Sequence, residues 1–530
     1  MRQRKETKNI LILPNPVPFR NFFLVRGTAI AAFMVAVVSL ALYALGAQRG
    51  MSWQDSGEFQ YRVMVGDLAW HSGIARAHPG YIIVASVFAR MLGLVSGGAV
   101  GLAFGTTLFS AFSMAVALLL LFIVVRRATG SIGAALLAFI TLGLAHMARW
   151  MATMAEVYAP SLALSMAELL MLDLAVRTPS KRRRFLALLF LVSGIHFSFH
   201  DFALLNLPVY VVSAFLLAKR NPSTLQPFNL STFQLFNIIP FLLGCSPILY
   251  LMACEARGGA GVADILRSVL FGEGYMGAVL GLSKASIGRI AASYALAAIS
   301  VAAPAWLFAA KGMLTAAPDA PSRFMRRALA VLTVIHAVFW CRYFVPDQAT
   351  FILPLLGYLA VWVGIGASSM SRTALRRIII VSAAIQMLLP PLALVAARRS
   401  DLCQRILSSR RMVPFRDEAA YWLLPWKHDE RSAEAFVRAA LVEMPGGGTL
   451  YADSTTAPPL MMLELKGGEV GLGFNLATPW SRDAIPAPNE AECFVVSVEE
   501  PYLPSPWRKG CRFERLGAIH RVLPEDDGSL

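Results

Sequence analysis

The chain has 530 residues, 57% of them hydrophobic, and a mean hydropathy of +0.59. Only 15% are charged, against about 25% in an ordinary soluble protein. Runs of about 20 apolar residues recur, each long enough to cross a hydrocarbon core of about 30 Å, which excludes a soluble globular protein. The short alternating segments of a membrane β-barrel are missing, so the composition predicts an all-α polytopic membrane protein.

The net charge of +16 is unevenly spread. Residues 1–397 carry 32 Lys and Arg against 13 Asp and Glu, whereas residues 398–530 carry 16 against 19. A domain boundary is therefore expected near 398, followed by a soluble tail. The basic excess belongs to the membrane part, where Lys and Arg gather on cytoplasmic loops, and it calls for no nucleic acid as a partner.

The first 27 residues form a basic N-terminus with six Lys and Arg, read as cytoplasmic ahead of a retained first span. Basic clusters at Arg126-Arg127, Arg177 with 181–184, Lys219-Arg220, Lys311 with 323–327, and 372–377 follow. All stay on the N-terminal side if spans run at 28–46, 102–125, 131–147, 158–176, 185–200, 202–218, 236–253, 288–310, 329–345, 350–368 and 378–396. These eleven spans make a membrane domain over 28–397 with a first outer loop at 47–100. The segment 78–98, with Arg90 at its middle, is then expected to lie on the outer face as an amphipathic helix. Residues 221–237 read as a cytoplasmic loop insertion. The tail, 398–530, is placed in the periplasm as a small α/β domain, with strand-like "GGTLYADS" and "AECFVVSVEE" and helix-like "ERSAEAFVRAALVEM". Cys493 and Cys511 read either as a disulfide or as two free thiols.

On this topology nine of the 13 acids of the membrane part fall outside, although carboxylates near lipid carry a desolvation cost. Four stretches would meet there: "QDSGEF" with Asp55 and Glu58, "HPGY" at 78–81, "RWMATMAEVYAP" with Glu156 and Tyr158, and "GIHFSFHDF" with His196 and His200 on one helix face. The two histidines read equally as core residues. Glu168, at mid-span, is either a pairing partner for a basic residue or part of a pathway.

The order "DSGEF", "HPGY", a hydrophobic helix ending in "RRATG", then Trp150 and "EVY" resembles the bacterial and animal family that includes the transmembrane O-mannosyltransferases, membrane glycosyltransferases of the GT-C fold. The stretch 342–354, "RYFVPDQATFILP", resembles that family more loosely, and "AHPGYI" has one proline fewer than its usual form. The resemblance implies a polyprenyl-phosphate-linked sugar as donor, an acceptor hydroxyl on a protein or glycan, and a bilayer-edge site on the outer face of a bacterial inner membrane. It implies Asp55 as catalytic carboxylate. Transfer from a lipid phosphate has a good leaving group and needs a base for the acceptor hydroxyl, together with charge stabilisation of the departing phosphate.

The expected site is therefore Asp55 and Glu156 as catalytic groups, with Glu58, His78, Tyr81, Tyr158, His196, His200, Arg267 and Arg342 around substrate. The residues leave the need for a divalent cation open and present no structural metal motif. The competing reading is a transporter or lipid flippase, which would keep its charged groups near the midplane of two related halves. A third is a membrane-anchored scaffold whose tail does the binding.

Overall fold

In the computed structural model the described residues are 19–219, 230–272, 276–280, 287–345, 347–408, 411–444, 447–466, 473–481, 485–488 and 491–525. Most of the basic N-terminus and residues 221–229 of the 221–237 insertion lie outside them; the remainder of that insertion, expected as loop, is helical from Leu230 onward. The chain begins with α1 (Phe19–Gly46), then α2 (Gln54–Val65), the short α3 (Ile74–Ala77) and α4 (Pro79–Val95). Next come α5 (Leu102–Thr129), α6 (Ile132–Gly143), α7 (His146–Ala152), α8 (Tyr158–Arg177), α9 (Arg182–Phe199) and α10 (Phe202–Lys219). They are followed by α11 (Leu230–Gly244), α12 (Ser246–Arg257), α13 (Val262–Phe271), α14 (Met276–Leu280), α15 (Ile287–Val301) and α16 (Leu307–Leu314). The last long helices are α17 (Ala320–Arg342), α18 (Leu353–Ala367) and α19 (Arg372–Arg399).

The protein is a multi-pass membrane protein. Eight helices are long and apolar enough to cross a membrane, or up to eleven if three bent pairs (α6 with α7, α11 with α12, α15 with α16) each count as one. That set includes 74–95 and omits α9, which opens on three arginines.

Polar contacts sort the helix ends into two faces. At the basic end Arg126 donates to Thr28, Arg127 and Arg177 both grip Asp173 (2.7 and 2.6 Å), and Arg177 reaches Ser322. At the opposite end Gln48 meets Thr153, and the α9 terminus at Phe199 accepts from His78. α9 thus runs from one end to the other. α4 does not: His78 at its start lies at the second end, and its Tyr81 and Phe88 pack on Phe109 and Phe112 in the first half of α5. Its Ser86 and Arg90 bond carbonyls of α2. Composition places 74–95 among the spans, while both of its ends sit at one end of the bundle. The face it leaves open is apolar, with Val87, Leu94 and Val95 exposed.

Glycines let helices touch backbone to backbone. A Cβ on Gly194 would stand 2.1 Å from the Phe241 carbonyl oxygen, and one on Gly312 2.1 Å from that of Trp362. Small residues take this role between membrane helices, where lipid offers no hydrophobic drive for association.

The tail holds α20 (Asp401–Ser408), α21 (Glu418–Leu423), α22 (Ser432–Glu443), α23 (Ala457–Lys466) and a five-stranded sheet. Its strands are β1 (Thr449–Tyr451), β2 (Asn475–Ala477), β3 (Cys493–Val495), β4 (Cys511–Arg515) and β5 (His520–Pro524), ordered β2-β1-β3-β5-β4. β1 is parallel to both neighbours, and the pairs involving β5 are antiparallel. Cys493 and Cys511 are free thiols. β5 lies between their strands, and two strand spacings of about 4.8 Å separate them beyond disulfide reach.

The tail is docked on the end that carries His78. Met51 and Trp53 of the first loop are buried in its core, Trp53 donates to Ser432 (2.7 Å), and Thr153 donates to the Pro425 carbonyl. Lys427 is buried there, donates to the Tyr421 and Leu424 carbonyls, and is pushed down to about 7 by desolvation.

Candidate active site

The motif glycines and strained turns build the site. Gly57 of "DSGEF" lies so near Ser52 that a Cβ would meet its carbonyl oxygen at 2.1 Å, and Gly80 of "HPGY" lets α4 begin against Ser198 and Phe199. Gln54 and His78 hold φ of 53° and 46°, a left-handed conformation that side chains adopt at a cost. Both lie beside candidate residues.

Arg62 braces the loop. Its guanidinium is fully buried and donates to Glu58 (3.3 Å), to the Asp67 carbonyl and to the Ala77 carbonyl, tying α2 to the residue before His78. A buried arginine needs all these acceptors to offset its desolvation.

Asp55, Glu58, His78, Glu156, Tyr158 and His200 line one cavity of about 340 Å³, together with Arg76, Asp201 and Asp347. Asp55 is half exposed, with Arg76 at 3.9 Å. Glu156 accepts from Ser56 (2.6 Å), its backbone N–H donates to Ser110, and burial with Asp55 nearby holds its carboxyl well above the usual range. Glu58 is raised to about 7, by burial first and then by Asp55. Asp347, raised to about 6 by burial and Asp55, accepts from Tyr158 at 3.4 Å. His78 and His200 stack with ring centres 5.4 Å apart. Glu58, Glu156 and Asp347 thus stand around the solvent-facing Asp55, which lies beside a guanidinium.

The cavity also has an apolar flank, with Leu204, Leu205, Leu270, Phe271 and Phe339. It opens into a second, larger chamber of about 690 Å³ under the tail, which shares Asp55, Glu58, Arg76, Glu156, Tyr158 and Asp347 with it.

Four expected site residues are not brought to either space. Tyr81 is fully buried and packs on Phe59, Phe109 and Phe199. His196 is buried inside the bundle, where its ring pairs with Glu168 (3.0 Å) and Ser161 (2.7 Å). The i, i+4 spacing with His200 failed to keep the two together because His200 ends the helix in extended backbone. Arg267 is exposed and pairs with its neighbour Asp264, and Arg342 is absent from both linings. Glu168 also accepts from Asn206 (2.8 Å), which makes it a member of a buried network.

The sequence reading missed Arg76 and Asp347. Arg76 stands two residues before "HPGY" and Asp347 within "VPDQATF", both in stretches already singled out. Among the described residues no group of three or more His, Cys, Asp or Glu is placed to hold a metal ion.

The structure of ArnT from Cupriavidus metallidurans bound to undecaprenyl phosphate is similar to this chain at 13% identity, covering 96% of this chain and 99% of that one, with a TM-score of 0.57. The chain has the GT-C fold. Arabinosyltransferase EmbB from Mycobacterium smegmatis (13% identity, TM-score 0.41) matches 67% of this GT-C chain over 31% of its own length. Arabinofuranosyltransferase AftD from Mycobacteria (16%, TM-score 0.45) matches 80% over 29%. No family model matches the GT-C chain's sequence, and no curated protein does.

Proposed function

We propose that this protein is an inverting membrane glycosyltransferase that moves a sugar from a polyprenyl-phosphate donor to an acceptor hydroxyl. The observation that carries the reading is a single cavity in which an apolar flank runs into a carboxylate and an arginine 3.9 Å apart. A lipid-linked sugar phosphate has that same division, with an apolar tail beside a charged head.

In this reading the acceptor oxygen attacks the anomeric carbon while the carbon–oxygen bond to phosphate breaks. The bonding pair leaves on the polyprenyl phosphate, and the hydroxyl proton passes to Asp55. Arg76 stabilises the charge gathering on the leaving phosphate. Glu156, held by Ser56 and Ser110, and Glu58, held by Arg62, position the loop and tune Asp55. The fold shared with a protein solved with undecaprenyl phosphate supports the donor class by analogy. The charge asymmetry of the loops supports a bacterial inner-membrane placement with the N-terminus in the cytoplasm and the site and tail in the periplasm.

The test is incubation of the purified protein with a panel of polyprenyl-phosphate sugars and measurement of sugar released to water or transferred to acceptor. Turnover of none of them, with the folded state verified, would end this reading.

A further inference from the structure

Asp201 is the acid of the cavity that the mechanism leaves unused. The others have partners: Asp55 faces Arg76, Glu58 is held by Arg62, Glu156 by Ser56 and Asp347 by Tyr158. Among the described residues the Asp201 carboxyl has no hydrogen-bond partner and no ion pair, and desolvation alone pushes it well above the usual carboxylate range. It is not sealed in. Asp201 is only partly buried, its oxygens are not among the closed-off, unpartnered atoms of the interior, and the space it borders is this cavity.

The turn that carries it is braced by other groups. α9 ends at Phe199 and α10 begins at Phe202. Between them the Phe202 N–H donates to His200 Nδ1 (3.1 Å), and the Leu204 N–H donates to the Asp201 carbonyl (2.9 Å). His200 is itself stacked on His78 and on Phe202. The backbone of Asp201 is thus fixed while its side chain takes no part in fixing it. Leu204 and Leu205 follow three and four residues on, so they share its side of the chain, and both belong to the apolar flank. Asp201 stands where α10 brings that flank up to the polar end.

A carboxyl left without partners in such a place costs stability, and what it lacks is a polar hydrogen. A polyprenyl tail offers none, and a phosphate diester offers acceptors only. A sugar ring offers several hydroxyls, and a carboxyl accepts from them in either protonation state. We propose that Asp201 is a specificity-determining residue that accepts a hydrogen bond from a hydroxyl of the donor sugar. The proposal deepens the glycosyl-transfer reading and rests on it for the ligand being a lipid-linked sugar. Tail, sugar and base then fall in order along one cavity, with Leu204 and Leu205 on the tail, Asp201 on the ring and Asp55 at the reacting end.

Binding needs neither acceptor nor turnover, so its outcome is separate from that of the transfer assay. Affinities of the full-length protein would be measured for undecaprenyl phosphate and for its glucosyl, mannosyl and arabinosyl derivatives. We expect at least one sugar derivative to bind about tenfold or more tighter than the bare carrier, the scale of one hydrogen bond to a charged group. Asp201→Leu should abolish that preference and bind the bare carrier as wild type does, and Asp201→Asn, which keeps an acceptor oxygen, should retain part of it. Because Asp201→Leu removes an unpartnered carboxyl, it should melt at or above the wild-type temperature. Several outcomes would overturn the proposal: no sugar preference in wild type, the full preference kept in Asp201→Leu, an equal loss of bare-carrier binding, or a lower melting temperature in both variants. An Asp201-dependent preference without turnover would end the transfer reading and leave the sugar site standing, whereas turnover by Asp201→Leu at the wild-type KM would do the reverse.

Discussion

Asp55 is distinguished from its neighbours by exposure. It is half open to the cavity while Glu58 and Glu156 are buried and held by Arg62, Ser56 and Ser110. Asp55→Asn keeps the size and removes the proton acceptor, so turnover should fall by about 10²–10⁴ with donor binding retained. Glu58→Gln should cost less, since a three-residue step turns a side chain about 60° round a helix and the structure points Glu58 at Arg62. A variant Asp55→Asn with wild-type transfer, measured at equal expression, would remove the base from this mechanism. The buried carboxyls also tie stability to pH. Glu58 ionises near 4.5 when free and at about 7 when folded. Between those values the folded chain keeps a proton that the unfolded chain has lost. Its contribution is therefore full below about pH 4.5 and lost as pH rises through 7, about 3 kcal/mol in all. Asp347 and Glu156 add in the same direction. Melting temperature in detergent should fall between pH 5 and 8, and Glu58→Gln should flatten that slope; an unchanged slope would show that Glu58 ionises as a free carboxyl does.

Among elements, α9 meets α11 backbone to backbone. Gly194 meets the Phe241 carbonyl and Gly244 the Leu191 carbonyl, at 2.1 and 2.4 Å for an added Cβ. Gly194→Ala must push these helices apart, and overpacking of this kind costs about 1–3 kcal/mol. The expected result is a melting temperature several degrees lower than wild type. Gly101→Ala, where an added Cβ meets nothing within 4 Å, is the control and should melt as wild type does. Since α9 ends at the Phe199 carbonyl that orients His78, displacement of α9 should also lower activity. The first outer loop behaves as the other half of this arrangement: α2 carries Asp55, α3 brings Arg76, and the turn at His78 aims α4 back along the same end of the bundle.

For the whole molecule, both chambers and the tail lie at the end opposite the arginine and aspartate network of Arg127, Asp173 and Arg177. If basic loops mark the cytoplasm, a phosphatase fused after residue 530 is active in the periplasm. A reporter active only in the cytoplasm would invert the membrane orientation, and with it the supply of donor. The tail is joined to the membrane part through Trp53, Thr153 and Lys427 rather than hung from α19 alone, which is why it can serve as a wall of the site.

Composition and hydropathy were enough for the class of the protein, the membrane bundle, the α/β tail and the end at which the acids gather, because lipid leaves an apolar chain few alternatives to helices and charge is sorted by side. Asp55, His78 and Glu156 were legible because they stand in short motifs whose glycines and prolines shape the backbone locally. Hydropathy could not place α4, since a helix that packs along one end of a bundle and one that crosses it have the same composition. Nor could spacing separate His196 from His200, because helical periodicity stops where the helix does. Arg76 and Asp347 come into one cavity from segments some 270 residues apart. Which cation faces which carboxylate depends on that packing, and only the tertiary structure decides it.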